Sequence, residues 1–398
     1  MRLSTLAQNA TPSATLSLNS TAKQMAAEGQ DVVMFTVGEP DFDTPDNIKQ
    51  AAIRAVLSGF TRYTPAAGTT ELREAISEKF SRDNGLDYSP DQVLVSNGAK
   101  HALYMIMMCL LQDGDEAILP APYWVSYSSQ AKFCGATPVV ADATGQPDLK
   151  LTPEILHKTI TDNSRILVLN SPCNPSGVVY SRQELEAIVQ VAVDHDLWIL
   201  SDEVYEELIY DDLEHVSIAG LSEEACRRTI TFNAVSKTYA MTGWRIGYAA
   251  GPREVIQAAG RLQSNMTSGP NSIAQKAAVE AITGDQESVQ EMRETFADRR
   301  DIIIEGLNAI DGVNCVRPEG AFYALPDCRP LLGHTYAGRK VEDSVSLSEA
   351  LLEEVKLAVV PGAPFGAEGH LRFSYAASEE TIRKGLERLE EFVDMREA

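Results

Sequence analysis

The chain has 398 residues, more than a single hydrophobic core usually spans, and this length predicts two domains or a large domain with a smaller one. Its 44% hydrophobic and 23% charged residues are typical of a soluble globular protein and exclude disorder and fibrous structure. A formal net charge of −23 excludes nucleic acid and anionic membranes as main partners, because both would repel the chain.

Cysteine usage and apolar runs bear on the cellular compartment. Six cysteines are scattered without a C-x-x-C pair, which predicts reduced thiols and neither disulfides nor a metal site. Residues 1–19 lack the apolar core of a secretory signal, and the longest apolar run, 104–111, is too short to span a bilayer. We therefore expect a cytoplasmic protein with no membrane partner.

The N-terminal region predicts an arm, a helix over 19–28 and a strand-like run over 32–37. The run stops at a turn rich in glycine and proline, 38–45, which is not helical. Loops at strand ends are where α/β folds usually bind ligands, so Gly38 is a candidate ligand contact. The simpler alternative is that Gly38 serves only the turn.

The following segments predict helices over 45–58 and 69–80, and then a strand, a glycine turn and a helix from Val93 onward. Free N–H groups at a helix start after a glycine turn form a cradle for anions. Lys100 lies in the first turn of this helix, where the helix dipole disfavours a cation. This placement favours an anionic ligand nearby.

Strands alternate with helices over about 45–280, which predicts a mainly parallel, doubly wound sheet. The apolar run 165–170 is continuous, as expected of a strand buried on both faces. Asn174, Asp202 and Lys237 each lie just beyond a strand end. Because such ends meet at the same edge of a parallel sheet, we expect one crevice to collect these three side chains.

A charged helical connector over about 285–308 precedes three further strands interleaved with helices. This arrangement predicts a smaller α+β domain at the C-terminal end. We assign residues 1–44 to an N-terminal arm and part of the small domain, 45–285 to the large domain, and 286–398 to the connector helix and the small domain.

Lys237 has the most suggestive chemical setting. It follows the apolar, β-branched run 229–232 and lies among small and hydroxyl residues. A buried amine loses the hydration of its charged form, so its pKa falls and the neutral nucleophile becomes available for imine chemistry. Arg245 offers a planar fork of donors suited to a phosphate, and Gly243 and Gly247 permit close backbone approach. The alternative is a lysine whose amine reaches water and an arginine in a surface ion pair.

Seven motifs occur in order: GEPDFD (38–43), PYWVSY (122–127), NPSG (174–177), SDEVY (201–205), SK (236–237), MTGWRIG (241–247) and RFS (372–374). In these motifs, and over nearly its whole length, the chain resembles the class I and II aminotransferases, pyridoxal phosphate enzymes of fold type I. Within that family it resembles the Ib subgroup of aspartate and aspartate/prephenate aminotransferases. The resemblance implies an α/β fold, with a mainly parallel seven-stranded sheet in the large domain and a smaller α+β domain.

The resemblance also implies roles around the cofactor, pyridoxal 5'-phosphate. Lys237 would bind it as a Schiff base and move the substrate Cα proton as general base and acid. Asp202 would pair with the pyridine nitrogen, and Tyr205 and Asn174 would reach the phenolic oxygen. Trp124 would stack on the ring and border the substrate. The simpler alternatives are a helix cap for Asp202 and a core aromatic for Trp124.

The cofactor phosphate would be held by Arg245 and by the backbone N–H groups of Gly98 and Ala99. Tyr63 would reach the same phosphate from a second subunit, so the resemblance implies a homodimer with shared active sites. The alternative for Tyr63 is ordinary packing of a loop tyrosine.

Arg372 would bind the substrate α-carboxylate with two parallel hydrogen bonds, assisted by the Gly38 backbone and by Asn174. The alternative is an arginine that pairs with an acidic neighbour on an edge strand.

The side-chain carboxylate of a dicarboxylic substrate would be recognised by Lys100 and Thr15. The implied reaction is L-aspartate plus 2-oxoglutarate to oxaloacetate plus L-glutamate. The alternative is an aspartate/prephenate or glutamate/prephenate aminotransferase that makes arogenate. Prephenate use is linked in relatives to a basic residue before Pro-Ser in the arm, whereas this chain has Thr11 there.

Two other classes remain as alternatives. A fold-type I lyase or racemase would share the Lys237 site but would not need Lys100. An aminotransferase-like module of a transcription factor would carry a basic N-terminal helix-turn-helix domain, which the acidic composition disfavours.

Overall fold

A computed structural model describes residues 2–4, 7–8 and 14–397. The strands are β1 Val33–Met34, β2 Val93–Ser96, β3 Glu116–Ala121, β4 Thr137–Asp142, β5 Ser164–Asn170, β6 Trp198–Asp202, β7 Thr229–Ala234, β8 Gly247–Ala250, β9 Tyr323–Ala324, β10 Thr335–Tyr336, β11 Arg339–Lys340, β12 Leu357–Ala358, β13 Val360–Pro361 and β14 Leu371–Ser374. The α-helices are α1 Ala14–Ala27, α2 Asp46–Leu57, α3 Thr70–Asn84, α4 Ala99–Leu110, α5 Ser126–Phe133, α6 Pro153–Thr159, α7 Arg182–Asp194, α8 Glu223–Arg228, α9 Val235–Thr238, α10 Arg253–Met266, α11 Ser272–Thr283, α12 Glu287–Ala309, α13 Ser344–Val355 and α14 Glu379–Asp394.

The central sheet has seven strands in the order β2-β8-β7-β6-β5-β3-β4. Its strands are parallel except β8, which runs antiparallel to both β2 and β7. The prediction of a mainly parallel seven-stranded sheet in an α/β fold is therefore confirmed. The register pairs Asn170 with Asp202 and Asp202 with Phe232, so the C-terminal ends of β5, β6 and β7 lie side by side.

Helices cover both faces of the sheet, and the strand β5 shows why its sequence is continuously apolar. Ile166 and Val168 pack with Ile106 of α4 on one face. Leu167 packs with Ile188 of α7 on the other face. Successive side chains of a strand point to opposite faces, so a strand buried on both sides requires apolar residues at every position.

Local signals fix several helix ends. The helix α7 begins with a capping box, in which Glu184 N–H donates to Ser181 Oγ and Ser181 N–H donates to the Glu184 carboxylate. The helix α3 begins at the N-cap Thr69, whose hydroxyl accepts from Leu72 N–H, and it ends at Gly85 with φ +65°. Such caps satisfy backbone groups that lack intrahelical partners.

The C-terminal part builds on a three-stranded antiparallel sheet with the order β13-β14-β9. The strand β1 pairs in parallel with β12, so the N-terminal segment joins this part of the molecule. Phe35, Phe296 and Phe373 lie together in its hydrophobic core. The domain boundaries at residues 44 and 285 stay predictions.

Two N-terminal elements differ from the sequence prediction. The helix predicted from residue 19 begins at Ala14, and the strand expected over 32–37 covers only Val33–Met34. The strand is short because Phe35 changes partners: its N–H donates to Ala358 O, whereas its carbonyl accepts from Ser374 N–H. Thr11 lies outside the described residues. No helix in the described ranges is long and apolar enough to cross a membrane.

Candidate active site

A cavity of about 310 Å³ lies at the C-terminal edge of the parallel strands. Asp202 ends β6, Lys237 lies in the short helix that follows β7, and Asn174 lies in the loop after β5. The cavity brings together these predicted residues: Gly38, Ala99, Lys100, Trp124, Asn174, Asp202, Tyr205, Lys237, Arg245 and Arg372. The main sheet and the C-terminal sheet both contribute to its wall.

The Lys237 amine projects into this cavity and donates a hydrogen bond to the Gly38 carbonyl. Burial lowers the pKa of Lys237 to about 8. The negative charge of Glu39 opposes this shift, while the positive charges of Arg372 and Arg245 add to it. A substantial fraction of the amine is therefore neutral and nucleophilic near neutral pH.

Asp202 is buried at the end of β6 and lines the same cavity as the Lys237 amine. Burial raises the pKa of Asp202 to about 6, against hydrogen bonds from Tyr127 and Val204 that lower it. Tyr127 Oη donates to Oδ2 at 2.6 Å, and Val204 N–H donates to Oδ1 at 3.4 Å. The carboxylate therefore stays mostly ionised at neutral pH and can hold a cationic ligand nitrogen.

Tyr127 was not predicted as a site residue. It lies three residues after Trp124 in the same motif, and the two rings pack edge to face with centroids 5.4 Å apart. The i, i+3 spacing placed it on the cavity side, but its hydrogen bond to a residue 75 positions away left no trace in the local pattern.

Tyr323 is a second residue that the sequence prediction missed. Its hydroxyl lies 2.9 Å from the Tyr205 hydroxyl, and both phenols are buried. Burial raises the pKa of each phenol, so both stay protonated. A Cβ at Gly38 would collide with the Tyr323 hydroxyl, which gives a steric reason for glycine there.

Arg372 is a buried cation without an acidic partner in the described part of the chain. Its Nη1 donates to Asn174 Oδ1 at 3.2 Å and its Nη2 donates to the Thr36 carbonyl at 2.8 Å, while Nε is buried without a hydrogen bond. The guanidinium lies between the rings of Tyr323 and Phe365, 4.8 and 5.1 Å from their centroids. A buried guanidinium with an unused donor is suited to an anionic ligand.

Arg245 lies against the start of α4. Its Nη1 donates to the Thr242 carbonyl at 2.8 Å and its Nη2 to the Asn97 carbonyl at 3.4 Å. A Cβ at Gly98 would collide with the Arg245 guanidinium, and a Cβ at Gly247 would collide with the Ala99 backbone nitrogen. The two glycines therefore allow an arginine and a helix N-terminus to share one anion cradle.

Lys100 and Trp124 form a further pair at the cavity wall. The Lys100 amine lies 4.6 Å from the centroid of the Trp124 ring. Burial lowers the pKa of Lys100, and the charge of Arg245 lowers it further. The amine thus provides a positive group in the cavity that is separate from Arg372.

The described part of the chain does not bring two further predicted residues into the cavity. Tyr63 is 93% exposed and borders a surface groove formed by residues 61–64 and 267–272. Its predicted contact with a second subunit stays a prediction. Thr15 lies in α1, and its side chain is outside what the structure describes.

The donor set fits a phosphorylated pyridine aldehyde. The amine of Lys237 can bind an aldehyde, the ionised Asp202 suits a pyridinium nitrogen, and Arg245 with the α4 start suits a phosphate. The fold and the cavity thus define an α/β enzyme of the kind that carries pyridoxal phosphate on a lysine.

Comparison with known proteins supports the same class of enzyme. The family model described as aminotransferase class I and II matches residues 30–389. The aspartate aminotransferase of Geobacillus stearothermophilus is 47% identical over 397 residues, covering 100% of both chains. The aspartate/prephenate aminotransferase of Cereibacter sphaeroides is 48% identical over 383 residues, 96% of each.

A solved structure of the aspartate aminotransferase from Thermus thermophilus with maleate is 45% identical and superposes with a TM-score of 0.92, covering 98% of this chain and 100% of that one. The chain belongs to the class I and II aminotransferases, enzymes that use pyridoxal phosphate. The resemblance inferred from the motifs is confirmed.

Proposed function

We propose that this aminotransferase transfers the amino group of L-aspartate to 2-oxoglutarate, giving oxaloacetate and L-glutamate in two half-reactions. This proposal rests on the presence of two separate cations, Arg372 and Lys100, in one cavity. A dicarboxylic substrate has two carboxylates to place, whereas a monocarboxylic amino acid would leave Lys100 without a partner. The relatives named as aspartate aminotransferases, one of them solved with maleate, support the same substrate class.

In this proposal seven residues hold the cofactor ring and its phosphate. Arg245, with the N–H groups of Gly98 and Ala99, binds the phosphate, and Asp202 binds the pyridine nitrogen. Tyr205, Asn174 and Trp124 line the same cavity, where the first two would bind the phenolic oxygen and Trp124 would stack on the ring. When bound, pyridoxal phosphate takes up the substrate amino group and stabilises negative charge at the substrate Cα.

Lys237 performs the proton transfers. Its lowered pKa leaves the amine neutral often enough to accept the Cα proton as general base and to return it as general acid. The hydrogen bond to the Gly38 carbonyl orients the amine within the cavity. Tuning by burial and by neighbouring cations therefore adapts a residue that is ordinarily charged to base catalysis.

Arg372 orients the substrate through the α-carboxylate. The Asn174 amide oxygen and the Thr36 carbonyl hold the guanidinium in a fixed direction. The buried position makes each charge-assisted hydrogen bond stronger than it would be in water. Orientation of this kind places the Cα proton near Lys237.

A second candidate is aspartate/prephenate transamination, which would make arogenate. It is favoured by the 48% identity to the aspartate/prephenate aminotransferase of Cereibacter sphaeroides. The substrate would still be bound by Arg372 and Lys100, because prephenate also carries two carboxylates. The two candidates differ because the cavity would also have to accept the ring of prephenate in the second one.

We also propose that the active unit is a homodimer in which Tyr63 reaches the phosphate of the partner's site. A tyrosine that is 93% exposed and borders a groove on its own chain has its ring available for such a contact. The cytoplasmic location stays a prediction from cysteine usage.

A half-reaction screen tests the proposed substrate. The protein loaded with pyridoxal phosphate is mixed with aspartate, glutamate, arogenate, alanine or phenylalanine, and loss of the absorbance of the lysine-bound cofactor is followed. Rapid conversion by aspartate and not by phenylalanine supports the dicarboxylate assignment, and the reverse pattern contradicts it. Rapid conversion by arogenate supports the second candidate.

Substitution of Lys100 by alanine tests whether this residue binds the second carboxylate of the substrate. We expect a loss of about 10- to 100-fold in kcat/KM for aspartate, the size of a lost hydrogen bond to a charged group. The loss for alanine as substrate should be below about threefold, because that substrate has no second carboxylate. Lys132→Ala, at an exposed lysine of α5, is the matched control. Equal losses for both substrates would refute the assigned role.

A further inference from the structure

A buried polar network lies directly behind the cavity, on the segment that carries Asp202 and Tyr205. Glu203 and Glu206 alternate with those two residues along the chain, and both glutamates are buried. One Glu203 oxygen accepts hydrogen bonds from Ser201 Oγ at 2.7 Å and from Ser217 Oγ at 2.9 Å. The segment therefore directs two side chains to the cavity and two to the interior of the protein.

His215 joins the two glutamates. Its Nε2 lies 2.9 Å from the second Glu203 oxygen and 4.0 Å from Glu206 Oε2. Glu206 is also bound by the Lys79 ammonium and by the amides of Asn84 and Asn233. Every carboxylate oxygen of the network thus has a hydrogen-bond donor.

The charges of the network balance when His215 is protonated. Two carboxylates, Glu203 and Glu206, then face two cations, His215 and Lys79, with Asp83 at the edge 3.9 Å from the Lys79 amine. Burial lowers the pKa of His215, but the charges of Glu203 and Glu206 outweigh burial and the opposing Lys79, so the net shift is upward. The folded structure therefore favours the imidazolium form of His215 more than water does.

The network is not a metal site, although the ligand atoms of Glu203, Glu206 and His215 lie within 4.8 Å of one another. The Lys79 ammonium already donates to Glu206 and supplies the positive charge that a metal ion would bring. A metal ion there would have to displace or repel a buried cation.

We propose that His215 is a positioning residue for the cofactor site: as an imidazolium it neutralises Glu203 and so keeps the adjacent Asp202 ionised toward the cofactor nitrogen. This inference rests on the proposed function. The negative charge of Glu203 raises the pKa of Asp202, so an uncompensated Glu203 would favour the neutral acid. A neutral Asp202 could not hold a protonated pyridine nitrogen by charge.

The Asp202 backbone is held by the neighbouring strand β5. Asn170 Nδ2 donates to the Asp202 carbonyl at 2.8 Å, and Asn170 Oδ1 accepts from Asn174 N–H at 2.8 Å. With Glu203 anchored by two serines, the Asp202 carboxylate has little freedom to move away from Glu203. The fixed backbone therefore keeps the charges of Asp202 and Glu203 close together, so the charge of His215 affects Asp202.

Two variants and a control test this role. His215→Gln keeps a donor for Glu203 and removes the positive charge, and the double variant Glu203→Gln with His215→Gln removes both charges. His370→Gln is the control, because His370 is a buried histidine of the C-terminal part whose Nδ1 lies 3.2 Å from the Glu368 carbonyl. The measurements are the dissociation constant of pyridoxal phosphate, the pH titration of its bound absorbance, and thermal unfolding of the apoprotein.

We expect His215→Gln to weaken cofactor binding about tenfold at neutral pH and to shift the absorbance titration by at least about half a pH unit. The double variant should recover to within about threefold of the unsubstituted protein, since the uncompensated charge is gone. His370→Gln should leave both readouts unchanged.

Other results overturn the proposal. Charge compensation would be contradicted if His215→Gln changed neither cofactor affinity nor the absorbance titration. It would also be contradicted if the single and double variants lost cofactor affinity equally. Failure of both variants to fold would assign the network to stability alone. If the unsubstituted protein binds no pyridoxal phosphate, the proposed function falls and this inference with it; if it binds and transaminates while His215→Gln is silent, only this inference falls.

Discussion

Three cations face the cavity, Lys100, Arg245 and Arg372, and none forms an ion pair with an acidic side chain in the described part of the chain. In a protein with a net charge of −23, acidic partners are plentiful, and most surface arginines have one. Of the three, Arg372 is buried, and an unpaired buried cation costs desolvation energy. Their placement together is the expected cost of a site that must bind anions against an unfavourable net charge.

At this residue scale, the lowered pKa of Lys237 predicts how the cofactor attaches. Only the neutral amine attacks an aldehyde, so the rate of attachment to apoprotein should rise about tenfold per pH unit below the pKa and level off above about pH 8. The measurement is the initial rate of absorbance change after mixing apoprotein with pyridoxal phosphate from pH 6 to 9.5. The control is lysine acetylated on its α-nitrogen, whose free side-chain amine should still accelerate beyond pH 9. The same behaviour in the protein would contradict the prediction.

A second prediction concerns Tyr127, which lowers the pKa of Asp202 by donating a hydrogen bond. Tyr127→Phe should move the pKa of Asp202 upward from about 6, so cofactor affinity should begin to fall at a higher pH on acidification. The dissociation constant of pyridoxal phosphate measured between pH 5 and 8 reports this limit. Tyr104→Phe, a half-buried tyrosine of α4 that packs on Phe133, is the control. An unchanged acid limit in Tyr127→Phe would show that this bond does not support the charge of Asp202.

At the scale of elements, the site depends on two contacts between chain segments that are far apart in sequence. The antiparallel strand β8 lies between β2 and β7, and its first residue, Gly247, packs on the backbone at the start of α4. The strand β14 carries Arg372 to the cavity from the C-terminal sheet, opposite the ends of β5 and β6. The start of α4 and the two sheets must keep these relative positions. Otherwise the site could not bind the cofactor phosphate and the substrate carboxylate at the same time.

Gly247→Ala tests the first of these contacts. The new Cβ would collide with the Ala99 backbone nitrogen, so β8 and α4 must separate. We expect a loss of about 1–3 kcal/mol in the free energy of unfolding, as for other overpacked sites, together with weaker cofactor binding. Gly243→Ala is the matched control, since a Cβ there has open space. Urea unfolding of both variants decides; equal stability would mean that the backbone adapts without cost.

At the scale of the whole molecule, the cavity and the groove around Tyr63 are lined by different residues of the chain. The proposed homodimer would complete each site with a residue from the other subunit, so neither subunit alone would hold the phosphate fully. Symmetry requires that the same contact occurs twice. Assembly and catalysis would then be linked through the cofactor phosphate.

Subunit mixing tests this arrangement. Lys237→Ala lacks the amine and Tyr63→Ala lacks the shared phosphate contact, yet a mixed dimer has one site in which both residues are intact. Random mixing of equal amounts makes half of the dimers mixed, so about one quarter of the full activity should appear at limiting cofactor. Mixing Lys237→Ala with Asp202→Asn, both on the same side of the site, is the control and should restore much less. No gain with Tyr63→Ala would contradict the shared site.

Much of the fold was predictable because local patterns encode it. Continuous apolar runs predicted the buried parallel strands, and the strand ends predicted that Asn174, Asp202 and Lys237 would share one edge. The predicted helix over 19–28 and the predicted strand over 32–37 differ at their ends from the structure. The end of the strand depends on partners such as Ala358 and Ser374, which lie more than 300 residues away in the sequence.

The sequence by itself determined the family and predicted the lysine and the anion-binding residues, because each motif combines a residue type with a local backbone geometry. Only the tertiary structure decided which other side chains contact the predicted site residues. Tyr127 reaches Asp202 across 75 positions, and Tyr323 reaches Tyr205 across 118. Such pairs leave no periodic signal, since they arise from the packing of separate elements, and packing also sets the burial that lowers the pKa of Lys237 and raises that of Asp202.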